Sequence, residues 1–281
     1  MYLKMRRGAV LLLLCFYISV TVSAQSNAAI KRIVSLNGTI TEILCDLGFQ
    51  QQIVGVDVTS TWPAAMEKVP KVGHNRNITA EPVLALQPDL IVSTTNFLSP
   101  AVLAQFKNVG AQHLMVEQEF SVAGTKKLIT QIAAALHVPE KGAALCKQLD
   151  QQQQALHIVP QQKKVLFIYA RGAGTLMVAG EATPMDKMIT LAGAKNAATG
   201  FNDFKPLTAE ALVAANPDVI LLFDTGLQSV GGIDGLLKIP GVAQTSAGKN
   251  KKVIVMDGQL LTGFSPRVIT AVRELSQKIS G

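Results

Sequence analysis

The stretch ITAEPVLALQPDLI at residues 78–91 returns in the second half of the chain as LTAEALVAANPDVI at residues 207–220. In each copy a Thr stands where it can cap a short helix, and the Glu two residues later suits the positive end of the helix dipole. The Pro-Asp pair then ends the helix and introduces a buried strand. One copy in each half of the chain predicts two lobes of similar build.

On both sides of this repeat, short β-branched runs alternate with helical patterns along the chain. Such near-continuous apolar strands between helices indicate parallel sheets that are covered on both faces. The predicted fold class is therefore α/β. The predicted strands are residues 32–36, 53–57, 90–93, 113–116, 165–169, 219–223 and 253–256.

A long helical stretch separates the two halves. Residues 121–136 form one amphipathic pattern, and Pro139 can open a second helix that runs to about His157. A helix that is polar over much of its surface suits a strut between lobes. The alternative is a disordered Gln-rich linker, but Leu145 and Leu149 at helical spacing favour the helix. The predicted organisation is an N-terminal lobe at 25–138, a connecting helix at 139–159 and a C-terminal lobe at 160–281.

The first 24 residues have the pattern of an export signal. A basic start is followed by an apolar run from Ala9 to Val22, and Ser23-Ala24 completes a small-residue cleavage site. The alternatives are a retained membrane anchor, for which the run is short, and a lipoprotein attached at Cys15, which Leu14 disfavours. We expect cleavage after Ala24 and a periplasmic mature chain.

The charge and aromatic content of the chain limit the kinds of partner that it can be expected to bind. The signal carries three basic residues and no acidic one, so its removal lowers the formal charge from +7 to +4. No basic stripe with interleaved aromatic residues is present, so we expect no nucleic-acid partner, whereas a mild positive charge suits a small anionic ligand. Cys45 and Cys146 are read as two buried thiols, with a disulfide left open because the compartment is oxidising.

Distinctive short stretches occur across nearly the whole mature chain. They resemble the periplasmic binding proteins of cobalamin, siderophore and haem importers, and most of all the haem branch. This resemblance implies two Rossmann-like lobes with a ligand cleft between them, joined by a single long helix. The stretches are RIVSL at 32–36 with TITE at 39–42, GVDVTST at 55–61, VGHNR at 72–76, MVAG at 177–180, SVGGIDGL at 229–236 and GFSPR at 263–267.

The resemblance also implies ligand contacts. In the haem branch a Tyr follows the Gly of the Val-Gly segment and binds the haem iron, and here that position is His74, whose imidazole is also a good iron ligand. Arg76, two residues later, is a candidate partner for a haem propionate. Arg171 and Arg267 are weaker candidates for the same role. The alternative for His74 and Arg76 is a solvated loop.

Tyr169 ends a predicted strand, where ligands of α/β sheets bind. It is a second, weaker candidate for the iron ligand, and the alternative is an aromatic side chain packed at the edge of the core. Met177 is expected to touch the ligand, although Met more often fills gaps in a core.

Glu81 and Glu210 occupy matching places in the two repeats. In the family such residues dock on the importer, so the resemblance implies an ABC permease dimer with its ATPase subunits as partners of a monomeric binding protein. The alternative for both residues is a simple helix N-terminal charge.

The expected function is delivery of haem, without catalysis, to an ABC importer. Within the same class of carrier, cobalamin or a ferric siderophore is the alternative ligand. A periplasmic enzyme that binds a nucleotide at the Gly172–Gly174 turn is the remaining alternative, and it is weak because Met177 stands where the third Gly of the dinucleotide fingerprint belongs.

Overall fold

The computed structural model describes residues 30–95 and 98–281. The predicted signal at residues 1–24 lies outside them. In the described part of the chain, no helix combines the length and the apolar character that crossing a membrane requires.

The N-terminal lobe contains a four-stranded parallel sheet in the order β2-β1-β3-β4. Each strand is a short apolar run, as the sequence predicts. Its elements are β1 (Ile33–Ser35), α1 (Gly38–Asp46), β2 (Ile53–Val56), α2 (Ala80–Leu84), β3 (Leu90–Thr94), α3 (Pro100–Asn108) and β4 (Gln112–Val116), with single turns of 3-10 helix at Gln50–Gln52 and Ala64–Lys68.

Two helices then lead from the first sheet to the second. These are α4 (Val122–Ala135) and α5 (Pro139–Gln154), which pack against each other. The helix α5 is the predicted connecting helix, and it ends at Gln154 rather than at about His157. Lys141 donates a hydrogen bond from Nζ to the Leu47 carbonyl (2.9 Å), which ties α5 to the N-terminal lobe.

The C-terminal lobe contains the second sheet, in the order β10-β9-β5-β6-β8, with β7 beside β5. The helix α12 also packs on α5. The elements are β5 (Lys164–Ala170), β6 (Leu176–Ala179), α6 (Pro184–Leu191), β7 (Lys195–Asn196), β8 (Phe204–Pro206), α7 (Ala209–Ala215), β9 (Val219–Phe223), α8 (Asp224–Ser229), α9 (Gly232–Leu237), a 3-10 turn (Val242–Gln244), α10 (Ser246–Lys249), β10 (Val253–Met256), α11 (Gly258–Thr262) and α12 (Val268–Ser280).

The three strands that the sequence predicts in this lobe, β5, β9 and β10, are parallel to one another as expected, but two strands that it does not predict break the pattern: β6 runs antiparallel to β5, and β8 runs antiparallel to β6. Parallel neighbours need a crossover connection of about a dozen residues or more. Only a tight turn separates β5 from β6, closed by hydrogen bonds from Arg171 N to Thr175 O (3.0 Å) and from Thr175 N to Gly172 O (3.3 Å).

The two copies of the repeat form α2 and α7 as predicted, but their caps differ. The Thr208 hydroxyl accepts a hydrogen bond from Ala211 N (3.2 Å). Thr79 makes no side-chain capping bond, so the prediction that both Thr residues cap their helices is wrong for the first copy.

Cys45 and Cys146 are free thiols, and burial, followed by the nearby Asp46 and Glu42 carboxylates, raises the pKa of Cys45 to about 12.

The largest cluster of buried apolar side chains runs through both lobes. It joins Ile33 of the first sheet, Ile129 of α4, Leu149 of α5, Phe167 of the second sheet and Leu275 of α12. A shared core resists separation of the lobes, because opening them would expose this apolar surface to water.

A substitution at Leu149 tests whether α5 packs on the core as the structure shows, since this side chain is 2% exposed on a helix that is otherwise mostly polar. We expect Leu149→Ala to lower the free energy of unfolding by about 2–4 kcal/mol, because it removes buried methyl groups and leaves a cavity. The exposed Gln153→Ala on the same helix is the control, with an expected change within about 0.5 kcal/mol. Urea denaturation of the chain without residues 1–24 measures both, and equal midpoints would contradict this packing of α5.

Candidate ligand cleft

The carboxyl ends of the two sheets face each other across the junction of the lobes. Thr39, which follows β1, donates a hydrogen bond to the Gly263 carbonyl (2.5 Å), and Gln118, which follows β4, donates to the same oxygen (2.7 Å). Gly263 follows α11, which itself follows β10 of the second sheet. Ligands of parallel α/β sheets bind beyond the carboxyl ends of the strands. The residues at these facing ends therefore define the candidate cleft.

His74 lies at the end of the first sheet. The segment that carries it runs beside β2: Val72 N donates to Val56 O (2.9 Å), and Val58 N donates to Gly73 O (2.9 Å). Gly73 has a φ of 122°, a conformation that side-chain-bearing residues rarely adopt, so a glycine is needed directly before His74.

The His74 ring is half-buried, and its Nδ1 accepts a hydrogen bond from the Arg76 backbone N–H (3.2 Å). An imidazole that binds a metal through Nε2 carries its own proton on Nδ1. Coordination through Nε2 therefore requires this hydrogen bond to break. The bond also fixes the predicted pair His74 and Arg76 in one turn of the first lobe.

Tyr169 stands at the end of β5 in the second lobe, directly opposite Met177 of β6 in the sheet register. Its ring meets Phe204 and Phe223 edge-on, with centroids 6.4 and 6.1 Å away. The Arg171 guanidinium lies 5.4 Å from the centre of the Tyr169 ring. Three predicted site residues, Tyr169, Arg171 and Met177, therefore form one wall. Within the described residues the Tyr169 hydroxyl has no hydrogen-bond partner.

Arg267 has a different environment from the one that a ligand contact implies. Its Nε and one terminal nitrogen donate to the two carboxylate oxygens of Glu42 (2.8 and 2.6 Å), and Glu42 is only 2% exposed. The guanidinium also lies 4.6 Å from the centre of the Trp62 ring. Burial, followed by Glu42, raises the pKa of Asp46, one helical turn after Glu42, to about 6, and Arg267 acts in the opposite direction.

Sequence reasoning missed Glu42, Trp62 and the two ring neighbours Phe204 and Phe223 as parts of this region. An acidic residue inside the apolar stretch of α1 was the available signal for Glu42, because a buried carboxylate needs a partner. The available signal for Phe223 was its place at the end of a predicted strand. Phe204 lies on the antiparallel β8, a strand that the sequence analysis did not identify.

Glu81 and Glu210 are exposed in the first turns of α2 and α7, one on each lobe. They are therefore accessible to a partner. The His74 turn belongs to the lobe of the first sheet, and the Tyr169 wall belongs to the lobe of the second sheet.

The model of the periplasmic binding protein family matches residues 33–260, so the chain belongs to this family. It is 32% identical over 256 residues to the uncharacterized ABC transporter substrate-binding lipoprotein YvrC of Bacillus subtilis, covering 89% of this chain and 80% of that protein. Proteins of this family are carriers, and the chain is a binding protein rather than an enzyme. The Gly172–Gly174 turn closes a hairpin and does not open a helix, which removes the basis of the nucleotide alternative.

Two solved structures are of proteins similar to this chain. The periplasmic heme-binding protein RhuT from Roseiflexus sp. RS-1, in apo form, is 39% identical with a TM-score of 0.83, covering 88% of this chain and 97% of that one. The periplasmic heme-binding protein BhuT, in complex with two hemes, is 38% identical with a TM-score of 0.84, covering 89% and 98%.

Lower identities connect the chain to a further haem-binding protein and to a vitamin B12-binding protein. The heme-binding protein HmuT, 30–31% identical with TM-scores of 0.80–0.81, has been solved with a tyrosine, a histidine or an arginine replaced by alanine. The vitamin B12-binding protein of Vibrio vulnificus is 23% identical over 260 residues, covering 92% of each chain.

Proposed function

We propose that this chain captures haem in the periplasm and delivers it to an ABC importer. The observation that carries the proposal is the wall of Tyr169, Arg171 and Met177 at the end of the second sheet, set across the lobe junction from His74 at the end of the first. Such a pair of walls offers donors for iron, cations for propionates and apolar surface for a porphyrin.

The chemistry of the donors fits this cargo. A porphyrin supplies four nitrogens to its iron, so the protein needs to supply only one or two axial ligands, and both imidazole and phenolate serve in haem proteins. Within the described residues no three or more His, Cys, Asp or Glu side chains gather as a site for a bare metal ion. His74 and the unpartnered hydroxyl of Tyr169 are the proposed donors, one from each lobe.

The propionates would pair with arginines. Arg171 and Arg76 are both exposed at the cleft ends of their lobes and can form charge-assisted bonds with a carboxylate. Met177 lies beside Tyr169 and offers apolar contact to the macrocycle. The Arg267 guanidinium is engaged by Glu42, so we assign the propionate role to Arg171 before Arg267.

The HmuT variants support this assignment. The three residue types replaced in that haem-binding protein are a histidine, a tyrosine after it and an arginine two positions after the tyrosine. This chain has the same three types in the same order, with Arg171 two positions after Tyr169 and His74 before both. Cobalamin stays the second candidate because of the similarity to vitamin B12-binding proteins, at lower identity.

Hemin titration tests the ligand and its donors. We expect the chain to shift the Soret band of hemin, and His74→Ala and Tyr169→Phe each to change the spectrum, because each removes one axial donor. Met177→Leu conserves volume and serves as the control, with the wild-type spectrum expected. No shift with the wild-type chain would reject haem, and calorimetric titration with cyanocobalamin and a ferric siderophore would then identify the ligand.

Glu81 and Glu210 are proposed to dock on the permease dimer, one lobe over each subunit, with the ATPase subunits behind it and the binding protein acting as a monomer. We expect Glu81→Lys and Glu210→Lys to reduce haem uptake by about ten-fold or more while hemin affinity is unchanged, since charge reversal at a contact rim replaces attraction by repulsion. The control is Glu140→Lys, an exposed reversal on α5 away from both repeats. Normal uptake by both variants would refute the docking role.

Residues 1–24 are proposed to direct export and to be removed after Ala24. Intact-mass measurement of the exported protein should give a chain that begins at Gln25. A mass that retains residues 1–24, or one that matches a lipid on Cys15, would replace this proposal by an anchored form.

A further inference from the structure

One charged group is buried at the junction of the lobes, and its partners come from the other lobe. Glu42 of α1 is 2% exposed and accepts hydrogen bonds from Arg267 and from the Gln259 amide (2.5 Å to Oε1). Gln259 lies in α11, and Arg267 is the N-cap residue of α12, both in the second lobe. We call Glu42, Gln259 and Arg267 the interlobe latch.

The stability of the latch depends on the spacing of the two lobes. A buried carboxylate is tolerated when it is paired and hydrogen-bonded, and removing one partner leaves an uncompensated charge. Moving the lobes apart would break these hydrogen bonds, since Glu42 moves with the first lobe and its partners with the second. The latch therefore favours one spacing of the lobes strongly over others.

The latch also holds an aromatic side chain at the cleft. Trp62 follows the end of β2, is 47% exposed, and packs on the Arg267 guanidinium. The Gln259 side-chain oxygen accepts hydrogen bonds from the backbone N–H groups of Thr61 (2.8 Å) and Trp62 (3.1 Å). The indole belongs to the first lobe, but residues of the second lobe set its position.

We propose that Arg267 is a positioning residue of the ligand site, which fixes the spacing of the lobes through Glu42 and orients the Trp62 indole toward the ligand face. Ligand release then requires the latch to open. The inference rests on the proposed function only in placing the ligand between the lobes, and it assigns Arg267 no contact with a propionate. The planar guanidinium matters, because it pairs with a carboxylate at two points and stacks on an indole at the same time.

The first experiment needs no ligand, because Trp62 is the only tryptophan in the chain. We expect Arg267→Lys and Glu42→Gln to shift its fluorescence to longer wavelength and to increase its quenching by acrylamide, as the indole loses its partner and the latch opens. The control is Glu274→Gln, which removes an exposed ion pair with Lys278 within α12. Quenching equal to the control in Arg267→Lys would overturn the latch, whether or not haem is the ligand.

The second experiment measures transfer of hemin from the loaded protein to excess apomyoglobin. We expect Arg267→Lys to release hemin about ten-fold faster, the equivalent of about 1.4 kcal/mol of lost binding, with an unchanged Soret position because the axial donors remain. Trp62→Leu should also accelerate release. Because Trp62→Leu changes only an exposed side chain, we expect this variant to fold, and it can still test the proposal if Glu42→Gln does not fold.

Hemin dimethyl ester separates positioning from direct contact. Its propionates carry no charge, so a variant that acts only through the latch should accelerate release of hemin and of the ester by the same factor. If Arg267→Lys accelerates release of hemin alone, or accelerates release without changing Trp62 quenching, Arg267 contacts the propionate and the positioning role is wrong. If wild-type protein binds no hemin, the proposed ligand fails while the fluorescence experiment still decides the latch.

Discussion

The arrangement of the lobes depends on the burial of the Glu42 carboxylate. A charged group so far from water is stable only with partners that supply positive charge and hydrogen bonds, and both partners, Arg267 and Gln259, belong to the other lobe. Without the second lobe, the Glu42 carboxylate would lose both of these partners. The same contacts bring the loops after β1, β2 and β10 together, and with them the two ends that form the candidate cleft.

Apolar packing, like this ion pair, holds the two lobes together. One buried cluster passes from the first sheet through α4 and α5 to α12 of the second lobe, and Thr125 of α4 donates a hydrogen bond to the Phe264 carbonyl (2.6 Å). Both kinds of contact resist a wide opening of the lobes. A carrier built in this way holds its two ligand-facing walls near their bound spacing and loses little conformational freedom when the ligand enters.

The short turn after β5 determines how the wall of Tyr169, Arg171 and Met177 is arranged. Because five residues cannot form a crossover helix, the chain returns as an antiparallel strand, which sets Met177 directly beside Tyr169 and leaves Arg171 at the start of the turn. The same glycine-rich turn in front of a helix would have cradled a phosphate. Here its glycines shape a hairpin, and the aromatic, thioether and guanidinium groups around it suit a flat, anionic, largely apolar ligand.

His74 and Arg171 became candidates through the family resemblance. Sequence patterns alone were enough for the α/β class, the repeated helix and strand of each lobe, the helix beginning at Pro139, and Tyr169 as a candidate at a strand end. These features are local: hydrophobic periodicity, Pro, Gly and capping residues act over a few positions. The three-dimensional structure was needed to establish that Arg267 pairs with Glu42, that Trp62 packs on Arg267, that β6 and β8 run antiparallel, and that Thr79 leaves its helix without a side-chain cap. A contact between residues more than two hundred positions apart depends on how the two sheets are placed, and no pattern within either segment records the position of the other.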